Sequence, residues 1–156
     1  MRKLLGLITL SLFVASCSDN AMYDEFVKIP ENGWSSDSSV VFNVVAKDTT
    51  ENYAVYIRLR HNTDYPYQNI YLFRSVTIGE ESIYSDKINY RVAEPNGKWL
   101  GDGFGALKTV DAPFSKSSLK FTRRGTYQFK ISQGMRDSLL QGVEEIGLRI
   151  VPLNNE

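Results

Sequence analysis

Apolar and polar positions alternate with a period of two along most of this chain. Tyr53, Val55, Ile57 and Leu59 alternate with Ala54, Tyr56, Arg58 and Arg60, and Ile88, Tyr90 and Val92 alternate with Lys87, Asn89 and Arg91. Tyr127, Phe129 and Ile131 alternate with Gln128, Lys130 and Ser132, and Ile146, Leu148 and Ile150 with Gly147, Arg149 and Val151. Successive side chains of a strand point to opposite faces, so each stretch predicts a half-buried strand. Residues 40–46 and 70–78 are denser in β-branched and aromatic residues and predict strands covered on both faces or central in a sheet. Turn-forming clusters separate the runs: Glu31-Asn32-Gly33, Asp48-Thr49-Thr50, residues 61–66, Gly79-Glu80-Glu81, Pro95-Asn96-Gly97 and Arg123-Arg124-Gly125. Together they predict an all-β fold, an antiparallel β-sandwich of jelly-roll-like type. One stretch reads differently. Met135, Leu139 and Val143 share a helical face, and Gly142 is placed to stop it, which predicts one short helix near residues 135–142.

The amino terminus reads as an address. Arg2 and Lys3 precede an apolar run over residues 4–14, too short for the roughly 20 residues that span a bilayer and typical of a secretory signal. Val14, Ala15 and Ser16 then place small residues before Cys17, which resembles the lipobox of bacterial lipoproteins. Cys17 is the single cysteine of the chain, and an unpaired thiol in an exported protein otherwise requires its own explanation. The expected organisation is a lipoprotein signal peptide over residues 1–16, a lipidated tether over 17–23 with Cys17 as the lipid attachment site, and a single sandwich domain over 24–156. Each buried methylene of an acyl chain contributes about 0.8 kcal/mol, so two or three palmitate-length chains give a permanent membrane anchor without a spanning segment. Ser18, in place of Asp, after the cysteine points to the outer membrane and leaves its periplasmic and surface faces open.

Composition narrows the function classes. The 156 residues carry 18 Lys and Arg against 18 Asp and Glu, so the basic footprint of a nucleic-acid binder is missing. One Cys and one His do not supply the usual zinc spacings. Gly101-Asp102-Gly103-Phe104-Gly105-Ala106 satisfies the loose form of the dinucleotide fingerprint. That fingerprint must follow a buried strand and open a helix, and Pro95-Asn96-Gly97 before it and Pro113 after it deny that context. The stretch therefore reads as a glycine loop with Trp99 and Phe104 packed down as anchors, and no nucleotide, metal or other cofactor is expected.

His61 lies beside Asn62 and Asp64, but no G-x-S-x-G elbow supplies a nucleophile. It reads as a surface turn histidine, and no catalytic residue is assigned. Pairs of carboxylates for sugar hydrolysis are decided by distance in space alone, and Glu80-Glu81 and Arg123-Arg124 read as solvated turn charges. Tyr65, Tyr67, Trp99 and Phe104 are the candidate contact residues. Aromatic groups on loops of a rigid sandwich offer large contact area at small entropic loss, for a protein partner or a sugar ring; they also serve as plugs for the sandwich ends.

A resemblance gathers these pieces. The lipobox at Cys17, Tyr65-Pro66-Tyr67-Gln68-Asn69 leading into Ile70-Tyr71-Leu72-Phe73, Gly97-Lys98-Trp99-Leu100-Gly101-Asp102-Gly103, Gly125-Thr126-Tyr127, Gln133-Gly134-Met135-Arg136, and the run from Leu139-Leu140 through Gly142-Val143 to Ile146-Gly147-Leu148 together resemble the GldH family of gliding-motility-associated lipoproteins. The resemblance implies an outer-membrane lipoprotein accessory to bacterial gliding. It would be non-enzymatic, act through contacts with proteins of the gliding or type IX secretion machinery, and touch the membrane only through its N-terminal lipid. It carries over one functional position, Cys17. The alternative is a carbohydrate-binding sandwich lipoprotein that uses its loop aromatics.

Overall fold

The computed structural model describes residues 20–153, so the expected signal peptide over residues 1–16 and Cys17 lie outside the described residues. Ten strands follow one another: β1 (Tyr23–Lys28), β2 (Trp34–Ser35), β3 (Ser39–Ala46), β4 (Tyr53–His61), β5 (Asn69–Ile78), β6 (Glu81–Arg91), β7 (Lys108–Pro113), β8 (Gly125–Gln133), β9 (Leu139–Leu140) and β10 (Val143–Pro152). Eight of them form two four-stranded sheets in the orders β1-β10-β4-β7 and β3-β8-β5-β6, and β2 pairs with β9 as a short clasp. Every pairing is antiparallel. Only β5 and β6 are consecutive neighbours in one sheet; the chain otherwise passes from sheet to sheet, the pattern of a jelly roll.

The alternation in the sequence explains this packing. On β4, Val55, Ile57 and Leu59 point inward; on β8, Tyr127, Phe129 and Ile131 do the same; and on β10, Ile146, Leu148 and Ile150 do so. They meet Val40, Phe42 and Val44 of β3 and Ile70, Leu72 and Val76 of β5 in one continuous core. Each fully buried aliphatic or aromatic side chain contributes roughly 1.5–3 kcal/mol relative to exposure, which makes this shared interior the main source of stability.

Two expectations require correction. The helix over residues 135–142 does not form, and no helix occurs among the described residues. An isolated helix of two turns is a poor competitor because its nucleus is costly, and here the same backbone finds better partners. Leu139 and Leu140 pair with Ser35 and Trp34, and the Gln133 side chain donates to the Asp137 carbonyl at 2.7 Å while accepting from the Met135 amide at 2.8 Å. Leu140, not Leu139, is the buried leucine. Gly142 does end the segment, at φ +79°, in a place where a Cβ would lie 2.3 Å from the Tyr65 backbone nitrogen.

The dense runs are covered on one face only. β5 is central in its sheet, as expected for residues 70–78, with Tyr71 and Phe73 exposed on its outer face, whereas β3 departs from the expectation as an edge strand with Val41 and Val45 exposed. Finally, β1 and β7, whose short sequences carry little alternation, complete the first sheet, and β6 begins six residues before the periodic stretch at Lys87.

Candidate functional site

The aromatic candidates converge on one end of the sandwich and then part company. His61 closes β4 in phase with Leu59, and its ring stacks against Trp99 at 4.6 Å and Tyr65 at 5.6 Å between centroids. It is completely buried rather than a surface turn residue. Its Nδ1 lies 3.0 Å from the Asn62 carbonyl, and its Nε2 is buried without a partner among the described residues. Burial pushes its pKa below the ordinary histidine value, with the nearby Lys108 charge adding to the shift and the Asn62 carbonyl opposing it. The imidazole therefore packs as a neutral ring.

Tyr65 is only 2% exposed and donates to the Asn69 carbonyl at 2.8 Å, so it offers no contact surface and belongs to the end plug. Trp99 is half-buried in the same stack. Tyr67 is half-buried too, its hydroxyl donating to Asp137 at 2.6 Å.

Phe104 behaves in the opposite way. It was expected to anchor the glycine loop, but it is 98% exposed at the loop's tip, flanked by the exposed Leu100 and Leu107. Asp102 and Thr109 close the loop's neck by an isolated bridge. Two of the loop's glycines allow backbone to cross backbone: a Cβ on Gly103 would lie 2.1 Å from the Leu107 carbonyl oxygen, and one on Gly101 would lie 2.6 Å from that of Thr109. Such packing leaves no cradle at the neck, and the sandwich places no helix after it for a phosphate to cap. Register also fixes where the loop points. Lys108 pairs with His61 at one end of β4, whereas Tyr23 reaches Val55 near the other end through Ile150. Six strand positions, roughly 20 Å, separate the loop's base from the entry of β1.

A polar cluster that sequence reading missed sits on the inner face of the second sheet. Arg74, 2% exposed, lies opposite Asp86 in register and holds it through Nε at 2.8 Å and Nη2 at 2.5 Å. Tyr90 and Tyr84 hydroxyls accept from the same guanidinium at 3.1 and 2.9 Å, and the Phe114 ring stacks beneath it at 4.9 Å. The Arg74 hydrogen bond holds the Asp86 carboxyl below its ordinary range. Strand parity carried the signal, since Arg74 is in phase with Ile70, Leu72 and Val76, just as His61 is with Leu59.

On the outer face, Lys87 lies over the Tyr71 and Phe73 rings at 4.7 and 5.3 Å, beside a shallow cleft of about 480 Å³ lined by Tyr67, Gly134, Met135 and Arg136. Several acids are held by arginines: Arg58 binds Asp24 and Asp111, Arg60 binds Glu145, and Arg123 binds Glu81. Among the described residues, no group of three or more His, Cys, Asp or Glu is arranged to hold a metal ion.

These features define an all-β sandwich module whose distinctive surfaces are a projecting aromatic loop and a long strand edge, with its buried ionisable groups engaged in packing. The chain belongs to the GldH lipoprotein family, whose family model matches residues 21–150. It is 35% identical over 156 residues to the gliding motility lipoprotein GldH homolog of Christiangramia forsetii, covering 96% of this chain and 94% of the relative. It is 28% identical over 151 residues to the gliding motility lipoprotein GldH of Flavobacterium johnsoniae, covering 92% of each. Among solved structures it is similar to the insecticidal delta-endotoxin Cry8Ea1 of Bacillus thuringiensis, at 15% identity and a TM-score of 0.41 over 75% of this chain and 18% of that one, a likeness too slight to bear on function. As a member of a lipoprotein family, the protein is a lipid-anchored component of the cell envelope.

Proposed function

We propose that this protein is a non-enzymatic accessory of gliding motility, held at the outer membrane by lipid on Cys17 and acting through contacts with proteins of the gliding or type IX secretion machinery. The observation that carries the proposal is its similarity, along nearly the whole chain, to relatives named as gliding motility lipoproteins. The geometry supports a contact role. Phe104 projects from the end of the sandwich opposite the one where β1 enters, so a chain tethered through Cys17 presents that loop away from its membrane. Tethering also raises the effective concentration of partners confined to the same envelope, so modest contacts suffice. Sugar binding through Tyr65, Tyr67 or Trp99 has less support, because Tyr65 is buried, Trp99 is stacked into the end plug, and the half-buried Tyr67 has its hydroxyl engaged by Asp137.

The test is genetic and biochemical. Deleting the gene is expected to abolish cell movement and colony spreading, a copy with Cys17→Ala is expected to restore them only in part, and mass spectrometry of the native protein is expected to find an acylated cysteine at its mature terminus. Normal movement in the deletion strain overturns the motility assignment, and an unacylated mature terminus overturns the anchor.

A further inference from the structure

The two long sides of the sandwich differ. On one side β1 and β3 close against each other, the Tyr23 ring meeting Phe42 edge-on at 6.3 Å and 86°. On the other side the edges of β6 and β7 stand apart, bridged by the Tyr90 hydroxyl, which donates to the Pro113 carbonyl. Three clefts run along this open side. The first, about 530 Å³, is lined by Arg91, Asp102 and Asp111 among others. The second, about 430 Å³, lies over Arg74 and Asp86 and shares Tyr90 and Pro113 with the first. The third, about 210 Å³, shares Tyr84 and Ser115 with the second and reaches the core between Val55, Val76, Ile83, Phe114 and Phe129. Shared walls make them one groove.

β6 forms the lip of that groove. It is eleven residues long, pairs with β5 on one edge, and pairs with no strand among the described residues on the other. Edges of this length are ordinarily shortened, covered or blunted by an inward-pointing charge, because their free N–H and C=O groups are a template for another strand. The inward charge here, Asp86, is already neutralised by Arg74, so it does not repel an incoming chain. Both described ends belong to the other sheet, where Asn20 precedes β1 and Leu153 follows β10.

We propose that the free edge of β6 and the adjoining groove receive an extended, acidic segment of a partner polypeptide, which adds a strand to the sheet and seats one apolar side chain beneath Ile83 and Phe114. This rests on the protein-contact reading above and names its surface. Backbone hydrogen bonds to β6 supply affinity, and every second side chain of the added strand faces the groove. The third cleft, apolar at its base between Val76, Phe114 and Phe129 and polar at its rim of Ser117, Ser118 and Lys120, selects an aliphatic or aromatic anchor. Charge follows from the rim: Arg91, Lys116 and Lys120 stand one in each cleft with no ion pair among the described residues, whereas the groove acids Asp86 and Asp111 are held by Arg74 and Arg58, which leaves Asp102 as the opposing charge. Complementarity calls for acidic residues on the partner.

The probe is a ten-residue peptide of alternating valine and glutamate, added to the full mature protein. It is expected to bind, to protect amides of residues 81–91 from hydrogen exchange while leaving residues 39–46 unchanged, and to weaken as salt is raised. Ile83→Asp, at a site 40% exposed, is expected to reduce affinity at least tenfold with the unfolding midpoint unchanged. Ser118→Trp, which fills the third cleft from its exposed rim, is expected to give the same loss without removing any core side chain and serves if Ile83→Asp misfolds.

No peptide binding, protection confined to residues 39–46, or equal binding of a valine-lysine peptide overturns the proposal. Protection of β6 that appears with protein concentration alone would assign the edge to a second copy and also overturn it. In cells, movement lost on gene deletion but normal in an Ile83→Asp strain fails the strand-addition proposal alone. Movement intact on deletion fails the motility reading itself.

Discussion

Asp102 and Thr109 face each other across the neck of the glycine loop and exchange both backbone hydrogen bonds, at 3.0 and 2.7 Å. This two-bond clasp turns residues 103–108 into a closed loop on the end of β7, and it forces the Gly103 backbone against the Leu107 carbonyl. A side chain there has nowhere to go, because the atom it meets is backbone. Gly103→Val is expected to destabilise the protein by about 1–3 kcal/mol, read as a lowered midpoint in urea. Gly105→Ala, at φ +63° with open space around it, is expected to cost about 1 kcal/mol or less. Equal losses at both positions would show that backbone freedom, not the close approach, is what these glycines supply.

Phe104 should separate contact from folding. Its ring is almost wholly exposed, so Phe104→Ser is expected to change stability by no more than about 0.5 kcal/mol. Cell movement is expected to fall in a strain carrying that variant at normal abundance. Wild-type movement would remove the loop from the contact surface.

Arg74 carries more than its charge. Truncating it leaves the Tyr84 and Tyr90 hydroxyls and the Asp86 carboxylate without their common donor, and it opens a void over Phe114. Arg74→Ala is expected to cost about 2–4 kcal/mol by equilibrium unfolding. Arg74→Met keeps the apolar stem and is expected to cost less; adding Asp86→Asn to it should recover part of the loss, since no uncompensated charge then remains. A double variant as unstable as the sum of its parts would argue that the ion pair itself contributes nothing.

His61 predicts the direction of a pH effect. Its folded-state pKa lies below the ordinary value of 6.5 because burial disfavours the imidazolium. Between those two values the unfolded chain binds more protons than the native one, so stability is fully present above about pH 6.5 and declines as pH falls through that window. Asp48 and Asp86 are shifted downward from 3.8 and therefore act only at more acid pH. Thermal midpoints are expected to fall between pH 7.5 and 5.5 in the wild type and to flatten in His61→Phe. A profile unchanged by that substitution would place the titrating group elsewhere.

The strands legible in advance were those where alternation spans many residues, as on β4, β8 and β10. The same parity also contained two facts that turn chemistry obscured. His61 continues the inward phase of Leu59, although Asn62 and Asp64 make it look like a turn residue, and Arg74 continues that of Leu72, although its charge suggests solvent. Residues 135–143 misled for a different reason. Their apolar spacing fits a helix, but the pairing of Leu139 and Leu140 with Trp34 and Ser35, about a hundred positions away in sequence, is not a local property. Phe104 reads as an anchor by its hydrophobicity, and only the path of the loop shows that it projects.

By itself the amino-acid order determined the all-β class, the main strands and the family, because strand periodicity and short motifs are written in neighbouring residues. It also offers Cys17, in a lipobox-like setting, as the position proposed for lipid. Tertiary structure alone decided which aromatics are plugs and which are exposed, which charges are paired, and that β6 has, among the described residues, no partner strand on the edge beside the groove. Those properties depend on the order of strands within each sheet and on how the sheets close, and both are settled by contacts between residues far apart along the chain.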